Sequence, residues 1–400
     1  MIARRIAHAI ERRDSTLKAP SSALLAALGA VPSSSGVSVS ATTAMQHGDV
    51  YACIRVLADA AASLPLLSYE RTGDGRVRDD DTFVARLLRN PAPGMTQSMW
   101  VSTVMHHLNM WGNTYVAKLR GARGQIVQFR FIDPSRVAIK LDNGEPVFKV
   151  YPSQQSDQIQ GEFTSRDILH IKGLSTDGVQ GLSPIRQARE AIGAGIALEE
   201  YAARFFANSA IPDGMLQTDG KLSQEAQDRL KTQWEAVHRG RSNAHKVAVL
   251  EEGLKWQSVS LPMEDVQFVE QRKYSATQIA RIFRVPPYMI GADGPNSMTY
   301  SNVEQESIHF VTYSLRPWLV TIEQAINADE DLYGADGPYY TEFLVDALLR
   351  SDTLSRMQAY EVGTRTGVMS VNEAREKENR PPIPGGDVPP WERLPGAQAA

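Results

Sequence analysis

Four hundred residues carry 42 basic and 46 acidic side chains, a formal charge of −4, with 42% hydrophobic residues and one cysteine, Cys53. That length holds two to three folding units of about 150 residues each, and the apolar share is enough for a buried core. Near-neutrality excludes a polybasic protein that binds by neutralising many phosphates. One cysteine excludes an intramolecular disulfide or a cysteine-based zinc cage, and no apolar run approaches the ~20 residues of a membrane span. The balance is that of a soluble, cytosolic, multi-domain chain.

The chain opens on a basic, weakly amphipathic stretch, MIARRIAHAIERR, and passes through Ser33-Ser34-Ser35-Gly36, so residues 1–44 read as a flexible arm and linker. Asp49 is placed to cap a helix with Ile54, Leu57, Ala58, Ala61 and Leu64 on one face, stopped by Pro65. A second helix starts near Thr96, carries Trp100, Val104, Leu108 and Trp111, and ends at Gly112-Asn113. The hydrophobic period then shortens to two. Strands are expected over 114–120, 126–132, 136–142, 146–151 and 168–172, joined by turns such as Asp142-Asn143-Gly144. Residues 45–183 are therefore an α+β unit with an antiparallel sheet.

From Pro184 a long helix is expected to 210, with Ile185, Ala188, Ile192, Ile196, Ala203 and Phe206 at helical spacing. Gly193 and Gly195 lie inside it; each costs about 1 kcal/mol against alanine, which points to close approach by a neighbouring backbone. Residues 211–261 form a small module: a helix capped by Ser223, with Ala226, Leu230, Trp234 and Val237 on one face, and a hairpin of 245–251 and 254–261. About fifty residues are marginal for a core of their own. A second long helix, 262–285, stops at Val285-Pro286-Pro287, and 286–300 is a loop of Gly, Pro, Asn and Ser. The next helix, within 301–339, opens on the capping-box pattern Ser301-Asn302-Val303-Glu304 and is kinked by Pro317. Its stripe is Ile308, Val311, Leu315, Trp318, Ile322 and Ile326. A last helical region, about 353–378, breaks near Gly367 and restarts at Ser370-Val371-Asn372-Glu373, before a proline-rich, extended tail over 381–400.

A search for chemistry returns little. Gly173–Gly178 has the glycine spacing of a phosphate loop but Val179 where its lysine belongs, and Gly181-Leu182-Ser183-Pro184 is followed by Ile185 instead of the glycine of a nucleophile elbow. His106 and His107 are adjacent, hence on different helix faces, with no second histidine at i+4. Asp74, Asp79, Asp80 and Asp81 lack the spacing of a calcium loop and read as a solvated hairpin turn. Cys53 reads as a small core residue. The expectation is no enzyme, no metal and no cofactor. Charge is more informative: residues 286–349 hold ten acids and one base, Arg316, a local −9, whereas 211–261 holds seven of each. The acidic block is either a solvated face or a wall along which a polyanion stays mobile instead of being gripped.

Several short blocks, in order, resemble the HK97-like portal family of tailed bacteriophages. They are Val50-Tyr51-Ala52-Cys53-Ile54 with Leu64-Pro65-Leu66, Leu87-Leu88-Arg89-Asn90-Pro91, Gly112-Asn113-Thr114-Tyr115, Ile168-Leu169-His170-Ile171 with Gly181-Leu182-Ser183-Pro184-Ile185, and Phe205-Phe206-Ala207-Asn208. Further on come Ile282-Phe283-Arg284-Val285-Pro286-Pro287, Thr299-Tyr300-Ser301-Asn302-Val303-Glu304-Gln305 and Ser370-Val371-Asn372-Glu373-Ala374-Arg375. The resemblance implies an α+β portal fold: an antiparallel-sheet wing (45–183), stem helices (184–210 and 262–285), a small α/β clip (211–261), a channel loop (286–300), a long kinked helix (301–339) and a helical crown (340–380). It implies a ring of about twelve copies at one capsid vertex of a virion or a phage-like particle such as a gene transfer agent, made in the bacterial cytoplasm. Double-stranded DNA would pass through without sequence specificity, and the partners would be the large terminase, the head-tail adaptor and the major capsid protein. The loop residues expected to face DNA are Gly291, Asp293, Asn296, Ser297 and Tyr300. Those expected to face clip partners are Arg229, Lys231, Trp234, Arg239 and Arg241. Two other classes stay open: a monomeric or dimeric DNA-binding protein of a mobile element, and a hydrolase built on Ser183 or His170.

Overall fold

The structure, a computed structural model, describes residues 31–73, 75–153, 159–207, 214–217, 255–258, 264–292, 300–334, 337–345, 353–378 and 380–388. The chain divides into two compact units: Met1–Tyr51 with Ala188–Ile282 and Gly291–Asp293, and Ala52–Gln187 with Phe283–Ile290 and Gly294–Ala400. The expected arm and linker is structured from residue 31 onward. β1 (Val31–Pro32) and β2 (Ser38–Val39) pair antiparallel, and Ser33-Ser34-Ser35-Gly36 is their turn, with Gly36 at φ 78°. A short helix that the hydrophobic pattern does not announce follows, α1 (Ala41–Gln46), closed by a reciprocal box in which Thr43 and Ser40 each donate a backbone N–H to the other's hydroxyl. In α2 (Gly48–Ala62) Asp49 is the second residue, not the cap, with its carboxylate in the first turn, where the helix dipole favours it. Ile54, Leu57, Ala58, Ala61, Leu64 and Cys53 are buried, as their spacing requires.

β3 (Leu66–Thr72) and β4 (Gly75–Asp79) form the hairpin expected at the acidic stretch. Asp79 accepts the N–H groups of Asp81 and Thr82, and Asp80 pairs with Arg78 and Arg89. α3 (Phe83–Arg89) is capped by Thr82 and α4 (Gln97–Trp111) by Thr96. α4 ends on Gly112 at φ 72°, a left-handed position that glycine takes without strain. Then come β5 (Asn113–Arg120), β6 (Ile126–Ile132), β7 (Val137–Asp142), β8 (Glu145–Val150), β9 (Gly161–Phe163) and β10 (Ile168–Lys172), and the one-turn α5 (Pro184–Gln187). Each expected strand lies within one residue of its place. They form two sheets rather than one, β10–β5–β6 and β7–β8–β9, all pairs antiparallel. Tyr115, Ile132, Phe148, Val150 and Ile168 build a shared core, and Trp100 of α4 stacks on Phe129 of β6 at 6.0 Å.

The long helix expected from Pro184 is interrupted at Ala188, so that α6 (Arg189–Ala207) is a separate element. β11 (Gly214–Gln217) pairs with β12 (Lys255–Ser258). β12 thus lies in the expected strand 254–261, but its partner here is 214–217; residues 245–251 and the Ser223 helix lie outside the described residues. α7 (Glu264–Phe283) ends before the two prolines. The α6 glycines are closely approached, but by side chains and not by the neighbouring backbone expected, and most of those side chains belong to the N-terminal segment. A Cβ at Gly193 would run into the Ser33 side chain, and one at Gly195 would lie 2.5 Å from His47 Nε2 and 3.1 Å from Ser275 Oγ of α7. Ser34 donates its N–H and hydroxyl to Glu190 at 2.8 and 2.6 Å. These bonds, the hydroxyl first, hold the Glu190 carboxyl down at about 2.

α8 (Tyr300–His309) begins one residue before Ser301, which is therefore inside the helix and not its cap. Pro317, expected inside one long helix, lies in the first turn of a separate one: Phe310–Leu315 is a π segment in which Arg316 N–H bonds Val311 O, and α9 (Arg316–Asn327) follows. The helix ends at Asn327, one residue past Ile326, the last of its expected stripe. β13 (Tyr339–Phe343), at the start of the expected crown, instead joins β3 and completes the sheet β13–β3–β4. Asn327 secures it, accepting Thr341 N–H at 2.7 Å and donating to Thr341 O at 3.0 Å. α10 (Thr353–Thr366) gives way at Gly367, φ 75°, and α11 (Val371–Lys377) starts with the expected Ser370–Glu373 capping box. The tail is not free as far as it is described: Asn372 accepts Ile383 N–H at 2.8 Å and donates to Ile383 O at 3.1 Å. Among the described residues no helix is long and apolar enough to cross a membrane.

Candidate functional site

The loop expected at 286–300 is described at its two ends. α7 stops because Arg284 adopts φ 57°, a left-handed conformation uncommon for a residue with a Cβ, and Val285 is buried behind it. Ser314 of the π segment donates its hydroxyl to Arg284 O at 2.5 Å, so the widened turn before Pro317 is also what fastens the start of the loop. Pro287–Ile290 form a 3₁₀ turn, Tyr288 and Ser307 hydroxyls lie 3.3 Å apart, and Gly291 takes φ 73°. Tyr300 is the first residue of α8. Asp293, Asn296 and Ser297 lie outside the described residues, as do Arg229, Lys231, Trp234, Arg239 and Arg241.

The acidic block is not one surface. Asp329 and Asp331 enclose the buried ammonium of Lys118: Nζ is 3.0 and 2.8 Å from the two Asp329 oxygens, 3.2 Å from Asp331 and 2.8 Å from Ser165 O. Arg120 bonds Asp331 at 3.0 Å. Burial raises Asp329 despite the lysine, whereas at the more open Asp331 the bonds from Arg120 and Lys118 outweigh burial and lower it. Glu323 accepts Phe343 N–H at 2.7 Å, and Glu342 pairs with Arg76. Four of the ten acids thus hold the unit together; Glu306 and Glu330 are exposed, and the side chains of the other four are not among those described.

Two of the short blocks meet in space. Asn113 accepts Gly181 N–H at 2.8 Å and donates to Gly181 O at 2.8 Å and Trp111 O at 3.0 Å, while His170 Nε2 lies 3.0 Å from Asn113 Oδ1. Gly173 N–H bonds Gly112 O at 2.9 Å. A Cβ on Gly112 would strike Leu182 O and one on Gly181 would strike Gly112 O, so these glycines are needed for backbone contact. His170 stacks on Tyr115 at 4.7 Å, and burial holds it neutral, down at about 3. Ser183 donates to Met110 O at 2.6 Å and caps Arg186 N–H at 3.1 Å. Each is committed to a structural partner and no hydrogen bond among the described residues joins them, so these two do not form a nucleophile–base pair. His107 is likewise pushed down to about 4 by burial, between Phe131 and Trp111.

This combination of helices and small antiparallel sheets recurs in solved structures. The fold superposes on a chain of the virion of a native gene transfer agent particle with a TM-score of 0.65, 23% identity, covering 86% of this chain and 94% of that one. A chain in the neck of the native gene transfer agent particle computed with C12 symmetry gives 0.60, 21% identity, and the same coverage of 86% and 94%. In sequence, the chain is 34% identical over 368 residues to the probable portal protein of Streptomyces phage phiC31, covering 90% of this chain and 80% of the relative. It is 28% identical over 352 residues to the portal protein of Enterobacteria phage HK97, covering 86% and 81%. Residues 48–379 match the family described as phage portal protein. The chain belongs to the phage portal protein family, among its HK97-like members.

Proposed function

We propose that the protein assembles as a ring of about twelve copies at one vertex of a phage or gene-transfer-agent capsid, and serves there as the conduit for DNA packaging and ejection. The observation that carries this reading is the family match running from residue 48 to 379, through nearly the whole described fold. On this reading the sheets and α4 are the wing, α6 and α7 the stem, β11 and β12 the base of the clip, and α10 with α11 the crown. The clip, with Arg229, Lys231, Trp234, Arg239 and Arg241, would meet the terminase and later the adaptor. Asp293, Asn296 and Ser297 would face DNA between the two fastened ends of the loop. The protein would act by shape and charge, with no catalytic step; the commitment of Ser183 and His170 to backbone and aromatic partners supports this. Images of the purified protein and of isolated particles should show rings with a central hole. A stable monomer at micromolar concentration, together with particles lacking a ring, would overturn the assignment.

A further inference from the structure

The outer face of the β13–β3–β4 sheet carries an ordered arrangement that the fold itself does not require. Strand alternation sends Leu66, Ser68, Thr341 and Phe343 to the buried side. Leu67, Tyr69, Arg71, Tyr340 and Glu342 face the other way, joined by Arg76 and Arg78 because β4 sets Arg76 opposite Arg71 and Arg78 opposite Tyr69. Four flat groups interleave there. The Arg71 guanidinium lies 4.7 Å from the Tyr340 ring centre, Tyr340 stacks on Tyr69 at 5.7 Å and 29°, and Arg76 sits 4.6 Å over Tyr69. Arg76 is paired with Glu342 and Arg78 with Asp80. Arg71 reaches the Gly337 carbonyl at 3.3 Å and has no carboxylate partner among the described residues.

Arginines on an edge strand discourage unwanted strand pairing. That accounts for Arg76 and Arg78 on β4, but not for Arg71 and Tyr69 on the central strand or for the ring stack that holds them flat. We propose that this face is a docking surface for a carboxylate-bearing segment of a partner protein, with Arg71 as the anchoring fork. Arginine and tyrosine dominate the energetics of protein interfaces, and side chains already laid flat on rings lose little rotamer freedom on binding. Three guanidiniums against Glu342 and Asp80 leave one positive charge, that of Arg71, for an acidic segment to complement. Duplex DNA fits less well: phosphate binding draws on many free cations, and here two of the three are paired while Glu342 stands among them.

The full chain can be titrated with a fluorescent decaglutamate peptide. Arg71→Gln should weaken binding about thirtyfold, the least loss that marks a hot-spot residue. Arg71→Lys, which keeps the charge but not the planar fork, should lose most of that affinity too. Arg123→Gln, an exposed arginine elsewhere, should bind as the parent does, and all three should melt at the parent temperature. The proposal fails if Arg71→Gln binds the peptide unchanged, or if it lowers affinity for a short duplex as much as for the peptide. It also fails if the substitution alters self-association in sedimentation while leaving peptide binding intact, which would make the face a contact between copies. Peptide binding is read whether or not rings form, so the docking surface and the conduit can fail separately.

Discussion

Single side chains stabilise this protein where polar groups are taken out of water and supplied with partners. Lys118 shows the balance: an ammonium with almost no exposure is costly to bury, and two carboxylates and a carbonyl are placed around it. His170 and His107 are instead buried uncharged, at about 3 and about 4. The unfolded chain binds protons at each near pH 6.5 while the folded chain does not, so their contribution is complete above about 6.5 and erodes as pH falls toward those folded values. Going from pH 7.5 to 5.0, each should cost roughly 2 kcal/mol of unfolding free energy. Urea titrations at the two pH values measure this. His107→Phe, which keeps the ring contacts, should flatten the dependence; an unchanged slope would place the effect elsewhere.

Among the helices and strands, the segment from β1 to the start of α2 lies along α6. Ser34 meets Glu190, Ser33 meets Gly193, and His47 meets Gly195 and lies 4.0 Å from Glu199. Helix propensity favours Gly193→Ala by about 1 kcal/mol, but the added methyl has no room beside Ser33. The substitution should therefore destabilise the unit by roughly 1–3 kcal/mol, the usual cost of overpacking, and raise hydrogen exchange over 31–47. Ser33→Gly in the same chain should recover most of the loss. A stabilised Gly193→Ala protein would show that the segment is not seated there. The run from α8 through the π segment to α9 also depends on a contact outside itself. A proline inside an ordinary helix only kinks it, whereas Pro317 follows a widened turn whose Ser314 reaches back to hold Arg284.

For the molecule taken whole, net charge is a poor guide to surface. Part of the −9 of residues 286–349 is spent inside the fold, on Lys118, Arg120, Arg76 and the Phe343 amide. The part left to repel or pass a polyanion is smaller than the arithmetic implies, yet it offers no basic grip. Binding of the assembled protein to duplex DNA should accordingly be weak at physiological salt, with a log–log salt slope shallower than about −2. The slope of a strong phosphate binder would favour the DNA-binding protein over the conduit.

What depends on neighbours along the chain was legible in the amino-acid order. Period and punctuation located α2, α4 and five of the eight strands described within 45–183 to within a residue or two, because local spacing decides which face an element can bury. Gly112, Thr96 and Ser370 act through the backbone beside them, so their roles as stop and caps were legible, as was the order of short blocks that marked the family. Contacts between distant segments settled the rest. Nothing near Tyr339 reveals that its strand pairs with β3, more than 260 residues earlier, and strand partners so distant are chosen by which apolar faces meet. Ser33-Ser34-Ser35-Gly36 has the composition of a linker and becomes a turn seated on α6 only because Glu190 and Gly193 are there to receive it. The acids of 286–349 read as a surface charge until the fold brought Lys118 and Arg120 to them. The −4 of the whole chain is the same in either arrangement, since a sum of charges carries no information about which of them are paired.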